Sequence, residues 1–547
     1  MAGIAPHNAP RNFQEHLAAL EKAGLLVRID KPINKDTELQ PLVRWQFVGG
    51  VPESERRAFL FTNVVDGKGK RYDMPVAIGV YASNPAIYAR GMGQTVEDVG
   101  QVWVKAIQNP IPPVVVDKPA VQEVVIKGDD LKKPGGGLAA LPVPVSTPGF
   151  DSAPYLTATL VTTRDPDNGI QNMGTYRAAL KATDRLVVRM AARVGGAGGW
   201  LHWQKYRERK QLMPIAIVLG TAPVVFFTGP QKLPLDMDEM SVAGALAGAP
   251  IKMAKCVTND LQVPADAELV IEGFIDPMTL EPEAPFGESN GYVALEAYNM
   301  PMQVTAITHR KNAVFSAIIS QVTPSESSVV KKVAYEPLFL YHLRDTMGVR
   351  GVTRVVMHEP LSNLRPVVFV QFKRGTLRTE VWRALQGAAT FRSDVGKIVI
   401  GVSEDVNPES TDAVFWSLAY RQSPHEDVQI INYRRGVQGA HYQADGGNRF
   451  ESSMLVDATQ KRPLPPLALP GKEYMERAKV LWEELNLPAV SAKGTWHGYT
   501  LGDWTDTWER FAQRAVAGDW EANGVETSKR RRDDLPPETP TAKHEKL

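Results

Sequence analysis

The chain has little cysteine, no long apolar run and almost no net charge, and each of these three features argues against a class of protein. A single cysteine, Cys256, among 547 residues rules out an intrachain disulfide and fits a reducing cytoplasm. The sequence has no run of about 18 apolar residues, so no membrane span is expected. Met1 to Asn12 lack the apolar centre of a secretory signal. A formal charge of +1 gives no reason to expect a nucleic-acid partner.

The chain is too long for one core, and its pattern changes along its length, which predicts a multidomain α+β and α/β fold. Helix and strand patterns mix at first, and a proline-rich break at Asn109 to Pro119 precedes strands rich in β-branched residues. Helices and strands then alternate, as in an α/β layer domain. We expect an N-terminal α/β segment at 1–115, an antiparallel sheet or barrel at 116–325 and an α/β domain at 326–465. Terminal helices at 466–526 and a disordered charged tail at 527–547 would follow.

Several elements are predicted individually. Asn12 to Gly24 reads as a capped helix with Phe13, Leu17 and Leu20 on one face. Strands are expected at Val121 to Ile126 and Tyr155 to Thr163. Further helices are expected at Asp236 to Gly248 and at Lys472 to Leu485. Cys256 lies in an alternating apolar pattern and is interpreted as a packing residue.

An acidic loop, Glu281 to Tyr292, is the most informative stretch. Its prolines and glycines fix the backbone, so Glu283 and Glu288 are held five residues apart. Carboxylates this close repel one another unless cations, hydrogen bonds or catalysis make use of them. The stretch is therefore either a solvated acidic turn or a general acid/base pair.

Three further motifs carry chemistry. Arg177 follows Asn172 by five residues, so its guanidinium and the amide oxygen are able to face one anion, although a surface turn with a solvated arginine fits equally. Glu239 opens a predicted helix, where an acid either complements the helix dipole or binds a hard cation. Gln321 to Ser328 precede a helix whose N-terminus either is simply capped or binds an anion.

The combined motifs resemble the UbiD family of reversible decarboxylases, which use prenylated FMN. The resemblance rests on Asn172 and Arg177, on Glu239, and on the Glu283 and Glu288 spacing in Glu-x-Pro-x-Gly-Glu-x-x-Gly-Tyr. Supporting matches are 264–273 and 457–461, and the resemblance covers roughly residues 12 to 490.

The resemblance implies roles for the matching residues. The 116–325 segment would be a split β-barrel that binds the flavin, and Arg177, Glu283 and Glu288 would form a Glu–Arg–Glu network in which Glu288 donates a proton. That role requires Glu288 to hold a proton near neutral pH, so burial or repulsion from Glu283 should raise its pKa. The cofactor would lie along Asn172, Met173, Gly174, Thr175, Tyr176 and Arg177, with Glu239 and with Lys397 of the C-terminal domain.

The resemblance also implies a divalent metal, manganese in most members, bound by Asn172 and Glu239, with potassium beside it. The family has a metal-binding histidine after the arginine, and here that interval contains only His202. In our register His202 comes late, with Arg193 or a glycine nearer the usual position. His202 therefore reaches the metal through a rearranged glycine loop, or the ligand is missing and His202 stacks between Trp200 and Trp203.

The expected activity is decarboxylation of an aromatic or α,β-unsaturated carboxylic acid, or of an aromatic acyl-CoA, with release of CO2. The expected partners are a prenylated-flavin synthase that supplies the cofactor and further copies of the chain, which the 326–465 domain would join in a homodimer or homohexamer. Two other functions stay open. A non-catalytic flavin-binding or assembly subunit of a carboxylase complex fits the doubtful metal histidine, although Arg177, Glu283 and Glu288 argue against it. An ordinary FMN oxidoreductase also fits, since split barrels occur in those enzymes.

Overall fold

The computed structural model describes most of the chain. The described residues are 8–190, 198–231, 233, 237–283, 285–392, 394–435, 450–466, 470–488 and 503–531. The predictions for Arg193, for Asp236 and for residues 532–547 of the charged tail lie outside these ranges.

The N-terminal segment mixes helices and short strands, as predicted. Asn12 caps the first helix by accepting a 2.9 Å bond from the backbone N–H of Glu15, and Gly24 follows its end at φ +67°. The elements are α1 (Phe13–Lys22), β1 (Leu26–Ile29), β2 (Ile33–Asn34), α2 (Leu39–Val48), β3 (Ala58–Phe61), β4 (Val64–Val65), β5 (Arg71–Tyr72), β6 (Val76–Ile78), α3 (Pro85–Gly91) and α4 (Val99–Gln108).

The central segment is built on a ten-stranded antiparallel sheet. Its elements are β7 (Val114–Val115), β8 (Val124–Lys127), β9 (Tyr155–Leu156), β10 (Leu160–Arg164), β11 (Gln171–Gly174), β12 (Ala178–Ala182), β13 (Arg185–Val188), α5 (Gly198–Arg209), β14 (Met213–Leu219), α6 (Pro223–Thr228), α7 (Glu239–Ala247), β15 (Lys252–Lys255), β16 (Gln262–Pro264), β17 (Leu269–Ile275), β18 (Glu281–Glu283), β19 (Phe286–Gly287), β20 (Val293–Ala294), β21 (Ala297–His309) and β22 (Phe315–Ala317).

Strand order defines this sheet and its edges. The main path is β11-β10-β14-β17-β21-β13-β12-β9, and β8 and β18 also pair with β21. Among the described residues no pairing joins β11 to β9, so the expected split barrel is an open sheet here. The last strand of the central segment, β22, lies outside this sheet and pairs in parallel with β6 of the N-terminal segment. The N-terminal and central segments therefore share a sheet.

Two predicted strands differ from the observed ones. Val121 belongs to a 3-10 turn, and the strand begins only at Val124. The strand expected from Tyr155 to Thr163 is interrupted, because β9 and β10 pair with different partners. Cys256 is buried after β15, and burial raises the pKa of its thiol, which confirms the packing interpretation.

The C-terminal domain alternates helices and strands, as predicted. Its five-stranded sheet has the order β23-β24-β25-β27-β26, with parallel pairing at its centre. The elements are α8 (Glu326–Tyr341), β23 (Val352–Met357), β24 (Val367–Phe372), α9 (Arg378–Phe391), β25 (Ile398–Ser403), α10 (Thr411–Arg421), α11 (Pro424–Asp427), β26 (Val428–Arg435) and β27 (Phe450–Ala458).

Terminal helices follow this domain: α12 (Lys472–Glu484), α13 (Asp506–Val516) and α14 (Trp520–Ser528). The predicted helix at Lys472 is confirmed, but its apolar residues are exposed, including Leu481 at 40 %. The expected tail begins later than predicted, because Thr527 and Ser528 still belong to α14. Among the described residues, no helix is both long and apolar enough to cross a bilayer.

The buried carboxylate of Glu326 fastens the domains together. It accepts hydrogen bonds from the backbone N–H groups of Gly79 (3.0 Å), Tyr81 (2.8 Å) and Ile319 (3.4 Å). Burial raises the pKa of this carboxyl to about 7, because it is sealed from water at the start of α8. This contact sets the position of α8 against the N-terminal and central segments.

Candidate active site

The acidic loop is held by strand pairing on both sides. Glu283 ends β18, where it pairs with Ala297 of β21, and it is 0 % exposed. At Gly287 a Cβ would lie 2.1 Å from Thr147 Oγ1, so a larger residue does not fit without rearrangement. The Gly287 N–H donates to Asp151 at 2.9 Å. The loop is therefore held in place by pairing, packing and hydrogen bonds, unlike a solvated acidic turn.

Arg177 joins the two glutamates. Its Nε donates to Glu283 Oε1 at 2.7 Å and its Nη2 donates to Oε2 at 3.1 Å, a bidentate pair. Its Nη1 donates to Glu288 Oε1 at 2.5 Å. The guanidinium also lies 4.4 Å from the ring centre of Phe286. The residues singled out as a network in the sequence are thus in direct contact.

A second arginine was missed by the sequence reasoning. Arg189 Nη1 lies 3.5 Å from Glu288 Oε1, and the Arg189 N–H donates to the Arg177 carbonyl at 3.0 Å. The pairing of Ala178 with Val188 in the β12–β13 hairpin places residue 189 opposite residue 177. Counting that register from the sequence was the available signal, because one hairpin brings both cations to the same carboxylate.

Arg177 also changes the electrostatic relation expected between the glutamates. It stands between Glu283 and Glu288, so its positive charge offsets their repulsion. Asn299 Nδ2 adds a 3.2 Å hydrogen bond to Glu283. Glu283 is therefore fully engaged, while the Glu288 side chain, at 16 % exposure, is the more accessible of the two.

Glu239 lies at the free edge of β11. Its Oε2 accepts a 3.3 Å bond from the Met173 N–H, and burial raises the pKa of its carboxyl to about 7. The neighbouring Asp238 is the helix cap, accepting from the N–H groups of Met240 and Ser241 at 3.2 and 3.0 Å. Asp238 therefore caps the first N–H groups of α7, so the Glu239 carboxylate is not needed as a helix cap and is available to a cation.

Polar atoms near this edge lack partners. Within the described residues, Asn172 Nδ2 and Thr175 Oγ1 are buried without a hydrogen bond. A Cβ at Gly198 would lie 1.9 Å from Asn172 Oδ1, so the start of α5 approaches closely only because it is glycine. Buried donors without partners are uncommon in proteins and are typical of a site that binds another group.

His202 faces the same pair of strands. Its Nδ1 lies 2.8 Å from Thr163 Oγ1, and Thr163 is paired in register with Asn172. No ring contact joins His202 to Trp200 or Trp203 among the described residues. Burial lowers the pKa of His202 to about 4. Among described residues no group of three or more His, Cys, Asp or Glu side chains forms a metal cluster.

Lys397 lies in the C-terminal domain. Its Nζ donates to Glu451 Oε1 at 3.0 Å, and its side chain is 43 % exposed. The structure thus assigns this lysine an ion pair within its own domain, and its approach to a cofactor stays a prediction.

Chemically, the network is a carboxylate pair organised by arginine, next to an edge with unsatisfied donors. It suits proton transfer to a bound organic acid, since one carboxylate is fully buried and the other is partly accessible.

Comparison with known proteins identifies related sequences and folds. The chain matches the 3-octaprenyl-4-hydroxybenzoate carboxy-lyase N-terminal domain over residues 17–107, its Rift-related domain over 114–322 and its C-terminal domain over 328–458. The structure of an evolved dimeric form of the UbiD-class enzyme HmfF from Pelotomaculum thermopropionicum in complex with prFMN is 28% identical. It covers 86% of this chain and 100% of its own, with TM-score 0.73.

Two further solved structures share the fold. Vanillic acid decarboxylase of Sedimentibacter hydroxybenzoicus in closed form is 25% identical, covering 88% of this chain and 100% of its own at TM-score 0.71. The apo 3,4-dihydroxybenzoic acid decarboxylase of Enterobacter cloacae is 21% identical, covering 86% and 100% at TM-score 0.71, and shows the fold alone.

Proposed function

This chain belongs to the UbiD family of carboxy-lyases, and we propose that it uses prenylated FMN to decarboxylate an aromatic or α,β-unsaturated acid reversibly. The observation that carries the proposal is Arg177 bound to both Glu283 and Glu288. Carboxylates of this kind, one fully buried and one partly accessible, suit the transfer of a proton to carbon.

Each member of the network has a distinct role. Glu283 holds Arg177 through two hydrogen bonds, and the remaining N–H groups of Arg177 are directed by that contact toward the substrate carboxylate. Arg189 adds positive charge on the same side. After the carbon–carboxylate bond breaks and CO2 leaves, Glu288 Oε gives its proton to the carbon that carried the carboxylate. Water then reprotonates Glu288 through its exposed side.

The residues present fit the cofactor. Asn172 Nδ2 and Thr175 Oγ1 are buried donors without partners in the described chain, and Gly198 lets the start of α5 pack closely on Asn172. The segment Asn172 to Arg177 would run along the flavin, with Glu239 at its edge and Lys397 approaching from the C-terminal domain. When bound, prenylated FMN supplies the electron sink for the bonding pair of the departing carboxylate.

A divalent metal, with manganese as the family precedent, would be held by Asn172 and Glu239, with potassium beside it. Asp238 already caps α7, so the Glu239 carboxylate keeps oxygen atoms for a cation. His202 is the candidate third ligand, because the Thr163 contact at Nδ1 leaves Nε2 free to point elsewhere.

The test is cofactor dependence. The protein should be inactive from a host that lacks a prenylated-flavin synthase and active when that synthase is co-expressed, with CO2 release measured over a panel of aromatic and unsaturated acids. Mass and absorption of the bound flavin separate prenylated FMN from FMN. Full CO2 release with plain FMN or without flavin would overturn the proposed use of prenylated FMN, whereas bound plain FMN without CO2 release would favour an oxidoreductase. Tight flavin binding without turnover of any acid would favour a non-catalytic subunit.

We also propose that the chain forms a homodimer or homohexamer through its 326–465 domain, with the terminal helices adding contacts. The terminal helices carry exposed apolar side chains that a neighbouring copy would cover, among them Leu481 (40 %), Leu485 (67 %) and Val516 (60 %). Native mass measured with and without residues 470–531 tests this, since loss of the helices should reduce the assembly.

A further inference from the structure

Residues 321–324, here called the strap, lead into α8. The sequence predicts either a helix cap or an anion site for the longer stretch 321–328. The cap is confirmed, because Ser325 Oγ accepts from the Ser328 N–H at 3.3 Å and Ser328 Oγ accepts from the Ser325 N–H at 2.9 Å. Since these two serines complete the cap between them, the strap residues ahead of it make other contacts.

The strap lies against the acidic loop. A Cβ at Gly291 would lie 3.4 Å from Val322 Cγ2, so Val322 packs on the backbone of that glycine. Gly291 belongs to a tight turn, in which its N–H donates to the Glu288 carbonyl at 3.1 Å and the Glu288 N–H donates to the Tyr292 carbonyl at 3.0 Å. Val322 therefore supports the turn that begins at Glu288.

Gln321 supports the loop on the other side of Glu288. Its Nε2 donates to the Ser146 carbonyl at 2.5 Å and to Thr147 Oγ1 at 3.5 Å. Thr147 packs directly on Gly287, where a side chain would clash with its Oγ1. Because Gly287 immediately precedes Glu288, neighbouring residues of the strap hold the backbone before and after this glutamate.

Arg44, on α2 of the N-terminal segment, holds the strap itself. Its Nη1 donates to the Pro324 carbonyl at 3.0 Å, and its Nη2 donates to the Val322 carbonyl. The planar guanidinium presents its donors in a fixed fork, so one half-buried side chain binds two carbonyls of the same segment. Arg44 therefore fixes the strap relative to α2.

Thr323, between those two carbonyls, is anchored to the C-terminal domain. Its Oγ1 donates to the Glu359 carbonyl at 2.6 Å and accepts from the Asn363 N–H at 3.1 Å. Its own carbonyl accepts from the Leu361 N–H at 3.1 Å. Loss of Arg44 would thus remove two bonds of the strap and leave the Thr323 anchor in place, so we expect the strap to shift without coming away.

We propose that Arg44 is a positioning residue for the Glu–Arg–Glu network: by holding the strap, it keeps the Glu288 carboxyl where proton transfer to the substrate requires it. The proposal rests on the function proposed above and adds to it a residue of the N-terminal segment. Arg44 acts through the backbone of the strap, so its removal should slow proton delivery without weakening substrate binding. Displacing a catalytic group by about 1 Å costs up to about 10²-fold in rate.

The experiment compares Arg44→Met, Arg44→Lys and Val322→Ala with Arg57→Met. Arg57 is the matched control, because it is also half-buried in the N-terminal segment and donates to two backbone carbonyls, those of Ser54 and Arg56, each at 3.1 Å. Hydrogen exchange of the acidic loop is followed by mass spectrometry on the full chain. The kcat and KM for CO2 release are measured on protein loaded with prenylated FMN, and thermal unfolding shows that each variant folds.

The expected result is local. In Arg44→Met the amides of residues 286–292 should exchange about ten- to hundred-fold faster, the effect of losing bonds to a charged donor, while the strands of the central sheet exchange as in wild type. The kcat should fall about ten- to hundred-fold with KM unchanged. Arg44→Lys keeps a charged donor and should restore most of the kcat, and Arg57→Met should behave as wild type.

Val322→Ala tests the same path from its other end. It removes the contact with Gly291 and should lower kcat in the same direction as Arg44→Met. The double variant should lose clearly less than the product of the two single losses, because both residues act on Glu288 through one segment. Fully multiplicative losses would show that Arg44 does not act through Val322, which overturns the proposed path.

Other outcomes also overturn the positioning role. Unchanged exchange of the acidic loop in Arg44→Met does so at any level of activity, and so does a loss of kcat that only matches the fraction of unfolded protein. If Arg44→Met turns over acids normally, the positioning role is wrong and the proposed function stands. If the loop loses protection in Arg44→Met but wild type turns over no acid, Arg44 positions the loop and the proposed function is wrong.

Discussion

Two regions of the site differ in how completely the protein satisfies its own polar groups. In the Glu–Arg–Glu network, Glu283 accepts from Arg177 and from Asn299, and Arg177 also reaches Glu288. At the edge of β11, Asn172 Nδ2 is buried without a bond in the described chain, and burial raises the pKa of Glu239 to about 7. One region is complete without a ligand, and the other is not.

This difference separates two tasks of one site. Groups that act on a proton must be positioned before the substrate arrives, so the chain supplies all of their contacts. Groups that bind a cofactor or a cation keep unpaired donors or acceptors, and these lower the stability of the protein until the ligand binds them. Mutations in the two regions should therefore divide into losses of turnover or stability and losses of ligand content.

The largest effect is expected for Glu288→Gln. Glutamine keeps the shape and the contact with Arg177 but delivers no acidic proton, so turnover should fall by roughly 10²–10⁴-fold. The variant should fold and bind the flavin. Deuterium from solvent should no longer enter the product at the carbon that lost the carboxylate.

Glu283→Gln is the paired variant, since it removes the charge that holds Arg177. It should also lose activity, with deuterium still entering whatever product forms. If Glu283→Gln is inactive while Glu288→Gln keeps most of its activity, the two roles are exchanged. Normal turnover in both variants would show that the acidic loop, Glu281 to Tyr292, is only a surface turn without a catalytic role.

The next effect concerns stability in protein free of flavin and metal. Arg177→Met leaves the fully buried Glu283 carboxylate without its cation, and breaking a buried pair in this way lowers the free energy of unfolding by about 3–5 kcal/mol. Glu239→Gln removes a buried carboxylate that has no cation, so stability should stay equal or rise. Denaturant unfolding measures both, and equal losses would abolish the contrast between the regions.

The fold could be predicted where local patterns decide the structure. The α1 cap at Asn12, α7 after Asp238 and the alternation of helices and strands from α8 to α10 follow from capping and periodicity. The interruption between β9 and β10 could not, because partner choice within a sheet depends on distant strands. The same holds for β22, which pairs with β6 from more than two hundred positions away.

The site could be predicted in part for a similar reason. The sequence singled out Arg177, Glu283 and Glu288, which the structure brings into contact, and Asn172, which lies beside Gly198 at the start of α5. Arg189 required the register of the β12–β13 hairpin. No motif marks this arginine, because its role appears only once the pairing of residue 189 with residue 177 is known.

Ligand content is the readout for Glu239 in the loaded enzyme. Glu239→Gln keeps an oxygen but loses the charge, so metal and flavin content should fall together, with affinity reduced by about 10–100-fold. Metal analysis and flavin absorbance on the same sample measure both. Asp238→Asn is the control: it perturbs the helix cap next door and should leave ligand content near wild type.

A smaller change is expected at His202. His202→Asn keeps a polar group near Thr163 but removes Nε2, so a ligand role predicts partial loss of metal with flavin retained. Loss of the Thr163 contact alone would lower the free energy of unfolding by about 0.5–1.5 kcal/mol and leave the metal in place. Thr163→Val separates the two, because it removes the hydrogen bond and keeps the imidazole.

The smallest effect is expected for Lys397→Met. The lysine is 43 % exposed and pairs with Glu451, and an exposed pair of this kind contributes at most about 1 kcal/mol to stability. Its flexible side chain has to leave Glu451 in order to reach a flavin bound by the central segment. Any contribution of Lys397 to cofactor affinity is therefore the difference between two ion pairs. We therefore expect a change of less than about tenfold in flavin affinity, measured by equilibrium dialysis in low and high salt. Glu451→Gln is the informative partner: by freeing Lys397 it should strengthen flavin binding if the lysine contacts the cofactor, and it should have no effect if Lys397 serves only its own domain.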